Sequence, residues 1–392
     1  MERILVMEKK IFKREKKEDK PVLAICYDFD KTLSPDDMQA QGYIQNVGYN
    51  VEEFWTESNE LAQENDMDQN LAYMLKMVEK SHGKFYLTKE SLADYGSKVE
   101  LFEGVKDWFD RICSYGEEKG VIVEHYIISS GLKEMIEGTE MAKNKCFKKI
   151  YASSFIYDSG NVAKWPAQAI NYTNKTQFLF RIEKGVLDIN DEAVNDYFPP
   201  EEIRVPFRNM VYIGDSATDI PCMKLVNSYG GYSIGVYNPQ KKDKSKVYEM
   251  MKEHRIKYFV PSIYTEESEI DILIKKIIDK TAKNEELEKI HYKNQREVEE
   301  HQEDRLKRKK RNIIYNLLNS GSFATTHTLI RESDEIDEWE QDEIEQLFEA
   351  AVTNGQIKSI IGDKDIYFFY KDLLEKYKGE NDFADELKDL LN

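Results

Sequence analysis

Two aspartates, Asp28 and Asp30, stand two residues apart at the end of the apolar run PVLAICYDFDKTL, with Thr32 in the turn that follows. Alternate side chains of a strand point the same way, so such a pair starts on one face, and the turn then lets the two carboxylates diverge to separate tasks. One can attack while the other manages protons. A second acidic pair, Asp215 and Asp219, closes MVYIGDSATD, where Gly214 permits close approach and Asp215 supplies the charge that a hard divalent cation wants. Between the pairs lie Ser129, a hydroxyl at the end of VIVEHYIISSG, and Lys175, opening a helix. A hydroxyl, nearby backbone N–H groups and a compact ammonium are what phosphoryl oxygens require. Ser130 rivals Ser129 for this role, and Lys164, Lys184 and Lys224 in or near other loops rival Lys175.

The elements that must position these groups follow a repeating order. Strand-like runs that end in polar residues alternate with helical segments over roughly residues 20–280, which predicts a parallel, doubly wound α/β sheet whose site lies at the strands' carboxyl ends. Residues 34–104 interrupt this rhythm with apolar positions at helical spacing, such as Leu71, Met74, Leu75 and Val78, and are read as an inserted helical module. From residue 284 the chain turns highly charged and lacks Gly and Pro, as a connecting helix would through 311. A small, mainly helical module follows over 312–392, in which IKSIIGDKD is read as a short strand and turn. The expected organisation is a charged lead-in at 1–20, frayed or forming an added edge strand, a core of 21–33 and 105–283, the insert at 34–104, the linker helix at 284–311 and the terminal module at 312–392.

The chain has 392 residues, 41% of them hydrophobic and 12% aromatic, which excludes a wholly disordered acidic protein. Its net charge of -18 opposes a surface built throughout for nucleic acid or anionic membrane. The charge is unevenly placed: the insert has 5 basic and 14 acidic residues, with no Arg, and residues 331–392 have 7 basic and 19 acidic ones. Four cysteines without a CxxC pair argue for a reduced compartment and against a zinc knuckle. No run reaches a membrane-spanning length, so a cytoplasmic protein is expected.

DFDKT, IISSG, Lys175 and GDSATD, in this order, resemble the haloacid dehalogenase superfamily, and within it the phosphoserine-phosphatase-like branch. The resemblance implies that Asp28 is the nucleophile and Asp30 the general acid/base. It places Thr32, Ser129, Ser130, Gly131 and Lys175 around the phosphate. Mg²⁺ falls to Asp28, the backbone carbonyl of Asp30 and Asp215, with Asp219 as a further ligand or as the residue orienting a metal-bound water. The implied reaction is phosphomonoester hydrolysis on a small phosphorylated molecule through an aspartyl-phosphate; dehalogenases of the family lack the second Asp of the first motif. The insert occupies the position of a C1 cap. Phosphoserine phosphatases hold their substrate with a cap glutamate and arginine, and the missing Arg departs from that pattern.

Other features are read more plainly. The cap lysines Lys76 and Lys80 are surface charge, and Tyr43, Phe54, Trp55 and Tyr73 build the cap's own core. RLKRKKR at 305–311 is a solvated helix face balanced by neighbouring acids. The terminal module faintly resembles a winged helix, but its acidic turn GDKD favours a protein partner or homo-oligomer contact through 284–392 over nucleic acid. His327 lacks a ligand set and is structural. The rival functions are a nucleic-acid end-processing phosphatase and a non-catalytic interaction protein.

Overall fold

A computed structural model of the protein describes residues 12–391 apart from 242, 303, 304 and 337. The chain forms two compact units, Met1–Leu287 and Glu288–Asn392.

The first unit is built on a seven-stranded sheet: β1 Val22–Tyr27, β2 Ile122–Leu132, β3 Lys149–Tyr157, β4 Ala163–Gln168, β5 Met210–Gly214, β6 Tyr232–Tyr237 and β7 Tyr258–Pro261, in the spatial order β4-β3-β2-β1-β5-β6-β7. All neighbouring pairs are parallel except β3 and β4, which form an antiparallel edge. Every residue of β1 is buried, as expected of a central strand covered on both faces. Alternation nonetheless persists: Leu23, Ile25 and Tyr27 enter the core on one face, with the helix Val105–Glu118 and the cap, while Val22, Ala24 and Cys26 enter the core on the other. The chain builds outward from β1 through β2 to one side, then crosses to β5 and continues to the other side. The carboxyl ends of β1, β2 and β5 therefore meet at a topological switch point, the usual place for a ligand crevice.

Between β1 and the helix Val105–Glu118 the insert folds as helices Val51–Glu64, Gln69–Ser81 and Lys89–Ser97 with shorter turns. Phe54, Tyr73, Met74, Met77 and Leu92 pack into the same apolar cluster as the sheet. Edge-to-face contacts run from Tyr43 to Phe54, from Phe54 to Trp55 and from Trp55 to Tyr73, so these aromatics serve the interior, as expected. The helices have side-chain starts: Asn50 accepts from Glu53 N, Asp68 from Asn70 N and Leu71 N, and Thr88 from Ser91 N.

Several local expectations are corrected. The edge strand β4 is absent from the sequence reading because AKWPAQ contains a proline and exposes Lys164 and Trp165. Residues 12–20 contain no strand; residues 1–11 of the charged lead-in lie outside the described residues. The linker is not a separate helix beginning at 284: one helix spans Glu269–Gln302, anchored in the sheet's core by Ile270, Ile274, Ile277 and Ile278, and a second spans Arg305–Leu318.

The second unit has its own core, where Leu317, Ile330, Leu347, Phe348, Ile366 and Tyr370 meet. Its remaining helices are Phe323–Asp334, Gln341–Thr353, Gly355–Ser359, Lys364–Lys376 and Asp382–Leu391. The expected strand at IKSII is instead the helix Gly355–Ser359, because the Asn354 side chain accepts from Gln356 N and Ile357 N and so starts a turn. No strand occurs among the described residues of this unit, which removes the winged-helix likeness. The basic run is also not a wholly solvated face: Lys310 is buried, with Nζ 2.7 Å from Glu343, and Lys309 pairs with Glu335 at 2.9 Å.

Candidate functional site

The two acidic strand ends meet. Oxygens of Asp28, Asp215 and Asp219 come within 4.8 Å of one another. Lys175 is fully buried beneath them, with Nζ 2.8 Å from Asp219 Oδ1 and 3.2 Å from Asp28 Oδ1. Its competitors are elsewhere: Lys184, for instance, donates to the carbonyls of Val194 and Asp196.

Asp219 is held on all sides. Tyr212 donates to Oδ1 at 2.9 Å, and Ser216 donates through its N–H and its hydroxyl to Oδ2, both at 3.1 Å. A Cβ on Gly214 would sit 2.5 Å from that Oδ2, so only glycine lets the carboxylate fold back over the strand end. Asp28, by contrast, has a buried Oδ1 with no hydrogen bond among the described residues; its contact with Lys175 is an ion pair outside hydrogen-bond geometry. A buried acceptor left open beside two further carboxylates suits a hard divalent cation. The residues present therefore fit a metal such as Mg²⁺, with Asp28 and Asp215 as the freer ligands and Asp219 better placed to orient the site.

Asp30 occupies a different position. Its Oδ1 accepts from Met38 N at 2.8 Å, and a Cβ on Gly131 would lie 2.8 Å from its Oδ2 and 2.6 Å from Met38 Cε. The glycine of IISSG thus makes room for the second carboxylate. Ser129 is buried, and its Oγ accepts from Gly131 N at 3.0 Å, which shapes the turn. Ser130 presents its carbonyl to Tyr73 of the cap at 2.8 Å and to Ser153 at 3.0 Å. Thr32 does not reach the cavity: it is fully buried, its carbonyl accepts from Tyr264, and its hydroxyl has no hydrogen-bond partner among the described residues. Its contribution is to the turn after β1.

Electrostatics separates the acids. Asp28 is raised to about 7: burial pushes it up most, Lys175 pulls it down, and Asp219 and Asp215 push it up. Asp30 is held well above the carboxylate range by burial, then by Asp37 and Asp28. Asp215 rises to about 6 through burial and Asp219, against Lys246, whose Nζ lies 3.4 Å away. Burial alone would lower the ammonium of Lys175, but Asp219 and Asp28 outweigh it and keep it charged.

These groups open into a cavity of about 640 Å³ lined by Asp28, Asp30, Ser129, Ser130, Gly131 and Asp215, and also by residues the sequence reading did not single out. Lys31 and Asp37 pair at 2.7 Å. The roof is the start of the cap helix Gln69–Ser81, facing the loop that precedes Lys175: Asp68 Oδ2 accepts from Asn171 at 2.7 Å, and Asn70 donates to the Ile170 carbonyl at 2.7 Å. Nothing local marks Asp68 or Asn171, which are 103 residues apart. Among the described residues no helix is long and apolar enough to cross a membrane.

A family model for haloacid dehalogenase-like hydrolase matches residues 25–224. A curated uncharacterized protein of Borreliella burgdorferi is 26% identical over 272 residues, covering 62% of this chain and 92% of its own. Among solved structures, a HAD family hydrolase from Salmonella enterica serovar Typhi aligns with TM-score 0.44 and 18% identity over 67% of this chain and 73% of its own. A probable phosphoserine phosphatase from Vibrio cholerae aligns with TM-score 0.45 and 15% identity over 68% of this chain and 67% of its own.

Proposed function

The chain belongs to the haloacid dehalogenase-like hydrolases, and from that premise we propose that it is a Mg²⁺-dependent phosphomonoesterase of the phosphoserine-phosphatase-like branch, acting on a small phosphorylated molecule. The observation that carries this reading is the convergence of Asp28, Asp215 and Asp219 over the buried Lys175, with Asp30 beside them on one cavity.

In this account Asp28 Oδ attacks phosphorus in line with the ester oxygen, and the P–O bond to the leaving group breaks as the Asp28–phosphorus bond forms. Asp30, held protonated by its surroundings, gives its proton to the departing oxygen. It then takes a proton from the water that hydrolyses the aspartyl-phosphate, releasing phosphate and regenerating Asp28. Lys175 and the Ser129 to Gly131 turn hold phosphoryl oxygens, and Lys175 keeps Asp28 ionised against burial. Asp28, Asp215 and the Asp30 carbonyl would hold a divalent cation, whose positive charge would let a phosphate approach these carboxylates. The module at 34–104 serves as the cap that excludes water.

The test is hydrolysis of a panel of sugar, nucleotide, amino-acid and cofactor phosphates, with and without Mg²⁺. Mg²⁺-dependent phosphate release from at least one small ester is expected. No release from any member, nor from an activated aryl phosphate, by folded protein would refute the assignment.

A further inference from the structure

The cavity's charges bear on which esters it takes. The geometry points to a leaving group without a second anion: the site favours phosphomonoesters of neutral polyols or amino alcohols over esters that also carry a carboxylate. This inference rests on the phosphomonoesterase reading.

Among the described residues the lining carries five carboxylates, those of Asp28, Asp30, Asp37, Asp68 and Asp215, against two ammonium groups and no guanidinium. Both ammonium groups are at the level of the reacting carboxylates and are already paired, Lys31 with Asp37 at 2.7 Å and Lys246 with Asp215 at 3.4 Å. Lys175 is engaged below with Asp28 and Asp219. The roof, which would face the leaving group, offers Asp68, the amides of Gln69, Asn70 and Asn171, and the exposed ring of Tyr172. A helix start can itself attract an anion through free N–H groups. Here Asp68 Oδ1 already takes Asn70 N at 2.9 Å and Leu71 N at 3.1 Å, so a negative side chain occupies that position. A carboxylate on the leaving group would meet Asp68 with no unpaired cation beside it, whereas hydroxyls or an ammonium would find that carboxylate and the Gln69 amide, the amides of Asn70 and Asn171 being engaged with the Ile170 carbonyl and with Asp68.

The experiment uses matched pairs that differ in one group: glycerol 3-phosphate against 3-phosphoglycerate, and O-phosphoethanolamine against O-phosphoserine. Each is measured on the full chain with Mg²⁺, as a substrate and as a competitor of 4-nitrophenyl phosphate turnover. The ester without the carboxylate should win in both pairs by about tenfold in kcat/KM or in inhibition constant, equivalent to about 1.4 kcal/mol. Gln69→Lys, at an exposed roof position, adds a cation and should shrink both ratios by about threefold or more, with the thermal midpoint unchanged. Equal ratios, a reversed order, or no competition by any of the four while 4-nitrophenyl phosphate is hydrolysed would overturn the charge preference alone. Absence of all turnover, the aryl ester included, would instead overturn the phosphomonoesterase reading.

Discussion

Replacing Lys175 by Met removes a fully buried cation of the site while keeping most of the side-chain volume. Its ammonium lies 3.2 Å from Asp28 and 2.8 Å from Asp219, and both Lys175 and Asp219 are fully buried. With an effective dielectric of about 20, the attraction to Asp28 at that separation is about 5 kcal/mol. Breaking one side of a buried pair typically costs about 3–5 kcal/mol, because the remaining charge is left uncompensated. For a unit of this size that corresponds to a thermal midpoint lower by about 6–20 °C. The same loss acts on titration. Lys175 opposes the burial that holds Asp28 up at about 7, so removing it raises Asp28 further, and even a third of the attraction is worth about one pH unit. The acid limb of kcat/KM, followed from about pH 5 to about pH 9 in Mg²⁺, should therefore move up by at least about one unit. Lys175→Arg, which keeps the charge, should move it less. An acid limb and a midpoint both unchanged in Lys175→Met would refute the reasoning, since the lysine would then be neither sustaining the ionised Asp28 nor compensating buried charge.

Other consequences can be measured independently. Asp30→Asn should slow hydrolysis of alkyl phosphates by about 10²–10⁴-fold, but that of 4-nitrophenyl phosphate much less, because a nitrophenolate leaves without a proton; equal losses would contradict the acid role. Asp28 and Asp215 have folded-state values raised to about 7 and about 6, so without metal each favours the folded state at low pH, and that contribution is lost as pH rises through those values. The rise in thermal midpoint on adding Mg²⁺ should accordingly be larger at about pH 8 than at about pH 5, where protons compete for the same oxygens; a pH-independent increment would count against a carboxylate metal site. In the second unit Asn354 donates to the carbonyls of Leu317, Leu318 and Ser320 and starts the following helix. Asn354→Ala should lower the protection of that unit's amides against hydrogen exchange by about 2–3 kcal/mol, and unchanged protection would contradict this bonding account.

What the sequence discloses here depends on whether the cause is local. The run that ends at Asp28 and Asp30 is legible because a fully buried strand must be continuously apolar and must stop where it meets polar chemistry. Asp215, Asp219 and the IISSG turn are legible for the same reason, and Lys175 because it opens the helical run KTQFLFRIEKG. The choice between Lys175 and its rivals needed burial, which only packing supplies. Edge strand β4 escaped detection because it is half exposed and carries Pro166. IKSII misled because β-branched residues suggest a strand, whereas Ile357 and Ile361 are buried four apart under the Asn354 cap. Asp68 and Asn171 join only through the fold, so their place over the cavity had no signature in the chain.

Steady-state turnover of Asp28→Asn tests the central claim most directly. The substitution keeps size and shape, and Lys175 retains Asp219 at 2.8 Å as its partner, so the variant should fold with its thermal midpoint little changed. With Mg²⁺ and the best ester found, turnover should fall by about 10⁴-fold or more, as when a nucleophile is removed. Turnover comparable with that of the unchanged protein, from a folded preparation, would contradict the assignment of Asp28 as the attacking group and with it the aspartyl-phosphate route.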